Sequence, residues 1–194
     1  MLNYLSKKTI SDIKKIFKEN KELLDIVLFG STTKGKEKPA DIDILIIYKE
    51  KENLNLNNKI KLLTNASITS ITYEKLFNQS FLAREGFLLN GISIINNKSI
   101  SESLGFDSKI LIKYELKGLN KSNRMRFYYA LYGRDYKSGM IKLLKAIKFS
   151  DSIIIIDSEE EYPTKEFMDS WKLEYISFPI LIPTRITESK IFSN

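Results

Sequence analysis

Two short stretches hold side chains whose types and spacing could do chemistry together. The first runs Leu28-Phe29-Gly30-Ser31-Thr32-Thr33-Lys34-Gly35, and the second runs Ala40-Asp41-Ile42-Asp43-Ile44. Glycine has no Cβ, so a phosphate can approach the backbone amides at Gly30 and the hydroxyl of Ser31. Asp41 and Asp43 alternate with Ile42 and Ile44; on a strand this sends both carboxylates to one face and both isoleucines to the other. Two neighbouring carboxylates repel each other unless a cation joins them, so the pair suits a divalent metal. A phosphate loop beside such a pair is the equipment of two-metal phosphoryl or nucleotidyl transfer, in which one ion activates the attacking hydroxyl and the other holds the triphosphate.

The elements that must position these groups are legible around them. Residues Ser6 to Asn20 set Ile10, Ile13 and Phe17 on one face with lysines opposite, which predicts an amphipathic helix. Asp25 to Phe29 reads as a buried strand ending at Gly30. Thr32 to Ala40, with Gly35 and Pro39, reads as turns and loop. Asp41 to Tyr48 is a second strand and Asn53 to Leu63 a short helix or loop. Ala66 to Thr72 is a third strand, Tyr73 to Leu89 is helical up to Gly91, and Ile92 to Ile95 is a short strand. A second unit begins near Gly105. Lys109 to Leu116 reads as strand or helix, Ser122 to Tyr132 and Lys137 to Lys148 as helices, Ser152 to Asp157 as a buried strand and Thr164 to Trp171 as a helix. Leu173 to Ile182 is one strand or two around Pro179. The fold class expected is mixed α/β (α+β), with a first domain over residues 1–104 and a smaller α/β domain over residues 105–194.

Composition removes many alternatives. The 194 residues contain no cysteine and no histidine. Cys/His zinc sites, Ser-His-Asp triads, Cys-His dyads and disulfide staples are excluded, and any metal must take oxygen ligands: Mg²⁺, Mn²⁺ or Ca²⁺. The aliphatic runs are too short to span a bilayer and the lysine-rich N-terminus is no signal peptide, so a soluble, cytoplasmic protein without a membrane partner is expected. The formal charge of +7 is uneven: +3 over Met1–Ser108, +9 over Lys109–Lys148 and −5 over Phe149–Asn194. The middle block, in which Arg124 and Arg126 interleave with Phe127, Tyr128 and Tyr129, could pair with phosphates and stack on bases, while its lysines also fit an ordinary solvated helix face.

Together the two motifs resemble the DNA polymerase β-type nucleotidyltransferase superfamily, whose signature is a hydrophobic residue, Gly-Ser, about ten residues, then Asp-hydrophobic-Asp-hydrophobic. Among its members the small prokaryotic minimal nucleotidyltransferases are the nearest likeness. Where they often read Gly-Ser-x-Ala-Arg-Gly, this chain has Thr33 and Lys34, and Ala40 stands where a serine precedes the acids. The resemblance implies a nucleotidyltransferase-like mixed sheet with helices over about Met1 to Asn97. It also implies Gly30 and Ser31 on the triphosphate of an NTP, Lys34 near it, and Asp41 and Asp43 as catalytic, Mg²⁺- or Mn²⁺-binding residues. The implied reaction moves a nucleoside monophosphate to a hydroxyl of RNA, a protein or a small molecule, the Lys109–Lys148 block favouring RNA.

In one respect the chain departs from that family. Fully active members carry a third carboxylate on the following strand, whereas Ala66 to Thr72 offers Ser67, Thr69, Ser70 and Thr72. Thr69 or Ser70 stands where the acid is expected, and Glu74 lies just beyond. A hydroxyl is a poor substitute for a metal-bound carboxylate. The alternative is therefore a weak or inactive nucleotidyltransferase-fold protein that binds nucleotide or nucleic acid as a sensor, antitoxin or adaptor.

Overall fold

Ser6 opens the first helix, its hydroxyl accepting the amide of Thr9 at 3.0 Å, a cap worth about 1 kcal/mol. The computed structural model describes residues 5–30, 42–78, 81–134 and 138–188, and the chain divides into two units, Met1–Leu104 and Gly105–Asn194. In the first, α1 (Lys7–Glu19) leads into β1 (Leu23–Phe29), and β2 (Asp43–Tyr48) pairs antiparallel with β1, Asp43 standing opposite Phe29. Helix α2 (Leu54–Thr64), capped by the Asn53 side chain and closed by Asn65 in a left-handed conformation, carries the chain back to β3 (Ser67–Thr72). That helical crossover lets β3 run parallel to β2. Then come α3 (Tyr73–Leu76), α4 (Arg84–Asn90), β4 (Ile92–Ser93), β5 (Lys98–Ser99) and α5 (Ile100–Ser103). The sheet order is β3-β2-β1-β4-β5.

Strand alternation builds a core on each side of this sheet. Ile44, Ile46 and Tyr48 join Ile13 and Ile16 of α1 and Leu56 and Ile60 of α2 on one face. Val27, Leu45, Ile47 and Ile71 meet Leu76, Phe87 and Ile100 on the other. The mixed α/β class is thus the one observed. The single helix predicted over Tyr73 to Leu89 is instead two, α3 and α4, and α4 stops at Gly91, where a Cβ would come within 2.4 Å of the Phe87 carbonyl oxygen.

The second unit contains β6 (Phe106–Glu115), α6 (Lys121–Tyr132), α7 (Met140–Leu143), β7 (Ile147–Ser150), β8 (Ile153–Asp157), α8 (Glu161–Ser170), β9 (Glu174–Pro183) and α9 (Thr184–Thr187). Its sheet order is β7-β8-β6-β9, with all neighbours antiparallel. This is the split β-α-β-β-α-β arrangement of ferredoxin-like domains. Ile110, Ile112 and Tyr114 of β6 and Ile154 and Ile156 of β8 pack beneath Phe127 and Leu131 of α6 and Met168 of α8. Lys109 to Leu116 is therefore strand. Pro179 does not split β9, because β9 is an edge strand with only β6 beside it, where a missing donor is tolerated. The helix predicted over Lys137 to Lys148 is a correction: Lys137 lies outside the described residues, and among the described ones only Met140–Leu143 is helical, Lys145 turns left-handed at φ 48°, and Ile147–Ser150 joins the sheet. Pairing Ile147 with Ile155 outweighs the helical spacing of the lysines.

Candidate functional site

The first motif ends β1 and the second opens β2. Among the described residues, their meeting point is Gly30 against Asp43. Gly30 has φ +82°, and a Cβ built on it would lie 2.4 Å from Asp43 Oδ2 and 3.3 Å from its Cγ. Both facts require glycine: a side chain is strained in this conformation, and any side chain would displace the carboxylate. The register explains the closeness, since Phe29 pairs with Asp43 and the chain leaves the ladder one residue later. Asp43 itself is half-buried at the end of a strand whose next five residues are all buried. Ser31, Lys34 and Asp41 lie outside the described residues.

Next to Asp43 on its other side is β3. Ser67 pairs with Asp43 and Thr69 with Leu45, so these two hydroxyls share the Asp43 face. Both are exposed. Ser70 points the other way, accepting from Asn57 Nδ2 at 3.0 Å and donating to the Glu52 carboxylate. The Ser70 placement expected from sequence is thus excluded, and Thr69 remains. Glu74 follows Thr72, which pairs with Tyr48, five residues along from Asp43; it lies at the opposite end of the sheet, roughly 16 Å away. Alternation alone sorts the β3 hydroxyls into two sets. Only the register with β2 says which set meets Asp43.

Among the described residues no three Asp or Glu side chains come together to hold a metal. The donors that do face one another, a carboxylate and two hydroxyls, are all oxygen and so match the chemistry of Mg²⁺ or Mn²⁺. Within the polar cluster around Ser70, the Tyr48 hydroxyl donates to Asn57 Oδ1 at 2.7 Å, and burial pushes its pKa up to about 12. That network ties α2 to the sheet behind the site.

Residues 11–100 match the family described as polymerase beta nucleotidyltransferase. This stretch is a polymerase β-type nucleotidyltransferase domain. Solved structures similar to the chain include tri-AMPylated Shewanella oneidensis HEPN toxin in complex with MNT antitoxin (17% identity over 45% of this chain and 70% of that one, TM-score 0.33). Others are a mutant of the toxin–antitoxin MntA-HpeT (18% identity, 44% and 71% coverage, TM-score 0.34) and a toxin–antitoxin with AMP-PNP (21% identity, 44% and 71% coverage, TM-score 0.34). No curated protein matches the chain. Among the described residues no helix is long and apolar enough to cross a membrane.

In the second unit, Arg124 and Arg126 are both exposed on α6, and Arg124 Nε donates to the Leu119 carbonyl at 2.9 Å. The aromatics after them divide. Phe127 is 1% exposed and packs edge-on against Tyr114 and Trp171, while Tyr129 is 41% exposed beneath the Arg134 guanidinium.

Proposed function

We propose that the nucleotidyltransferase domain transfers a nucleoside monophosphate from an NTP to a hydroxyl acceptor in RNA, a protein or a small molecule. The acceptor hydroxyl would give up its proton to solvent as its oxygen bonds to the α-phosphorus, the bond to the bridging oxygen would break, and pyrophosphate would leave. Gly30 and Ser31 would bind the β- and γ-phosphates through backbone amides and hydroxyl, and Lys34 would neutralise their charge. Asp41 and Asp43 would hold Mg²⁺ or Mn²⁺, which supplies charge stabilisation and orientation of the triphosphate when bound. The observation that carries this reading is the contact of Gly30 with Asp43: the glycine that follows β1 stands directly against a carboxylate at the head of the next strand.

The test is a transfer assay with each of the four α-labelled NTPs, Mg²⁺ or Mn²⁺, total RNA and lysate, using Asp43→Asn as control. Label passing to RNA or protein, and reduced at least about 100-fold in the control, is the expected result. The second reading, a binding protein, is favoured by the hydroxyl-only face of β3. Nucleotide binding with no transfer to any acceptor would select it.

A further inference from the structure

In a displacement at phosphorus the attacking and the leaving oxygen lie on opposite sides of the reacting atom. Three neighbouring strands, β1, β2 and β3, follow one another across the first sheet. Gly30, after the end of β1, is where the reading above seats the β- and γ-phosphates, and Asp43 heads β2 against it. With the leaving group on the β1 side, the attacking oxygen comes from the β3 side. The residue of β3 level with Asp43 is Ser67, the first of its strand. It stands one strand spacing away, about 4.8 Å between backbones, with its side chain on the Asp43 face.

The hydroxyls of β3 are not equivalent in this respect. Ser70 bonds Asn57 and Glu52 on the other face, and the Thr72 hydroxyl caps α3 by accepting the Lys75 amide at 3.4 Å. Ser67 and Thr69 are exposed, and among the described residues neither hydroxyl forms a hydrogen bond. Thr69 lies two residues further along the strand, roughly 8 Å diagonally from Asp43, and its hydroxyl is crowded by a methyl group. Ser67 offers an unhindered primary hydroxyl at the end of the sheet where Gly30 and Asp43 meet.

We propose that the chain is its own acceptor, moving a nucleoside monophosphate from an NTP to the hydroxyl of Ser67. This rests on the nucleotidyl-transfer reading above and names one acceptor for it. The Ser67 oxygen bonds to the α-phosphorus and its proton passes to solvent. The bond from that phosphorus to the bridging oxygen breaks, and pyrophosphate leaves. The product is a phosphodiester joining the serine to the nucleoside. An acceptor fixed beside the reacting phosphorus needs no encounter, and well-oriented intramolecular reactions reach effective concentrations of about 10⁵ M or more. Self-transfer is therefore independent of protein concentration and ends at one nucleotide per chain.

The test incubates the purified full chain with each α-labelled NTP and Mg²⁺ or Mn²⁺, first without any added acceptor and then with total RNA and lysate. Intact mass spectrometry should show the chain gaining the mass of one nucleoside monophosphate, and peptide mapping should place it on Ser67. Mapping needs no variant, so it decides the matter even if a substitution at Ser67 folds poorly. Label per chain should rise at the same rate when the protein is diluted. It should be lost in Ser67→Ala and in Asp43→Asn, and be kept in Ser67→Thr, which retains a hydroxyl. Label that reaches added RNA or lysate protein but not the chain, that maps to another residue, or that slows on dilution would overturn the inference while leaving the transfer reading standing. No label on the chain or on any added acceptor would overturn the transfer reading, and the inference with it.

Discussion

At Gly30 two physical requirements coincide, and a second glycine separates them. Gly105 has φ +78° but nothing within 4 Å of a built Cβ, whereas Gly30 has φ +82° and the Asp43 carboxylate at 2.4 Å. Gly105→Ala should therefore lose about 1–2 kcal/mol of stability from backbone strain alone and leave ATP binding unchanged. Gly30→Ala should lose at least as much, since its Cβ must also displace the Asp43 carboxylate, and should abolish ATP binding, measured by urea denaturation alongside isothermal titration. Equal ATP affinity in both variants would mean that the Gly30 turn is not a phosphate seat. A different kind of carboxylate sits in the middle of β1. Asp25 Oδ1 accepts from Ser93 Oγ and from the Ile26 amide, both at 2.8 Å, yet burial wins over these bonds and raises its pKa above the usual carboxylate value. A raised folded-state pKa means the acid form is favoured by folding, so the stability it contributes is complete at low pH and is lost as pH rises through the folded-state value. Asp25→Asn retains both acceptor bonds without the charge. Its melting temperature should exceed that of wild type at pH 7, and the gap should close toward pH 4.

At the scale of elements, the segments that were legible are those whose local pattern and tertiary role agree. Ser6, Ile13 and Ile16 mark α1, and the acidic start and apolar run of Asp43–Tyr48 mark β2, because capping and burial ask for the same residues. The candidate site was legible to the same degree: Gly30 and Asp43 come from motif spacing, but the choice of Thr69 over Ser70 depends on a strand register that only pairing decides. Illegible was the segment after Gly133. The lysines of Lys137 to Lys148 recur at helical spacing, yet Gly139 breaks the pattern for a packing reason. A Cβ there would meet the Leu131 carbonyl oxygen at 2.3 Å and the backbone of Tyr132 and Gly133 at 2.4 Å. Backbone atoms of a packed helix end cannot step aside as a flexible side chain would. Gly139→Ala should thus destabilise the second unit by several kcal/mol, on the scale of core overpacking or more, whereas Gly118→Ala, with open space around it, should be near neutral. Chemical denaturation of both variants, followed by the Trp171 fluorescence of that unit, decides this. Equal stability would mean that the loop leading into α7 yields readily.

Across the whole molecule the charge distribution changes meaning once the chain is folded. The +9 block of Lys109–Lys148 is spread over β6, α6, α7 and β7, and acids draw part of it in. Lys109 bonds Asp157, Lys148 reaches Asp151 at 2.8 Å and Lys117 reaches Glu115 at 2.9 Å. Lys148 in turn holds the Asp151 carboxyl below its ordinary range. Two of these acids belong to the acidic segment Phe149–Asn194, so that region partly neutralises the block, through Asp151 and Asp157. Such exposed pairs add little stability, but they subtract from the field a polyanion would meet. Arg124 and Arg126 are different: they stand exposed on α6, and among the described residues neither forms an ion pair, Arg124 donating instead to the Leu119 carbonyl. If the acceptor is RNA, these arginines should carry a disproportionate share of the electrostatic contact. Each phosphate contact to a single strand contributes about −0.7 to the slope of log K against log salt concentration. Arg124→Ala/Arg126→Ala should then reduce that slope by about 1.4 and weaken binding alike for different sequences, measured by fluorescence anisotropy with labelled single-stranded RNA. Substituting Lys109 and Lys117 instead should change the slope less, because their charge is already met within the fold. An unchanged slope in the arginine variant would remove the basic block as an RNA surface and turn the search for an acceptor toward proteins and small molecules.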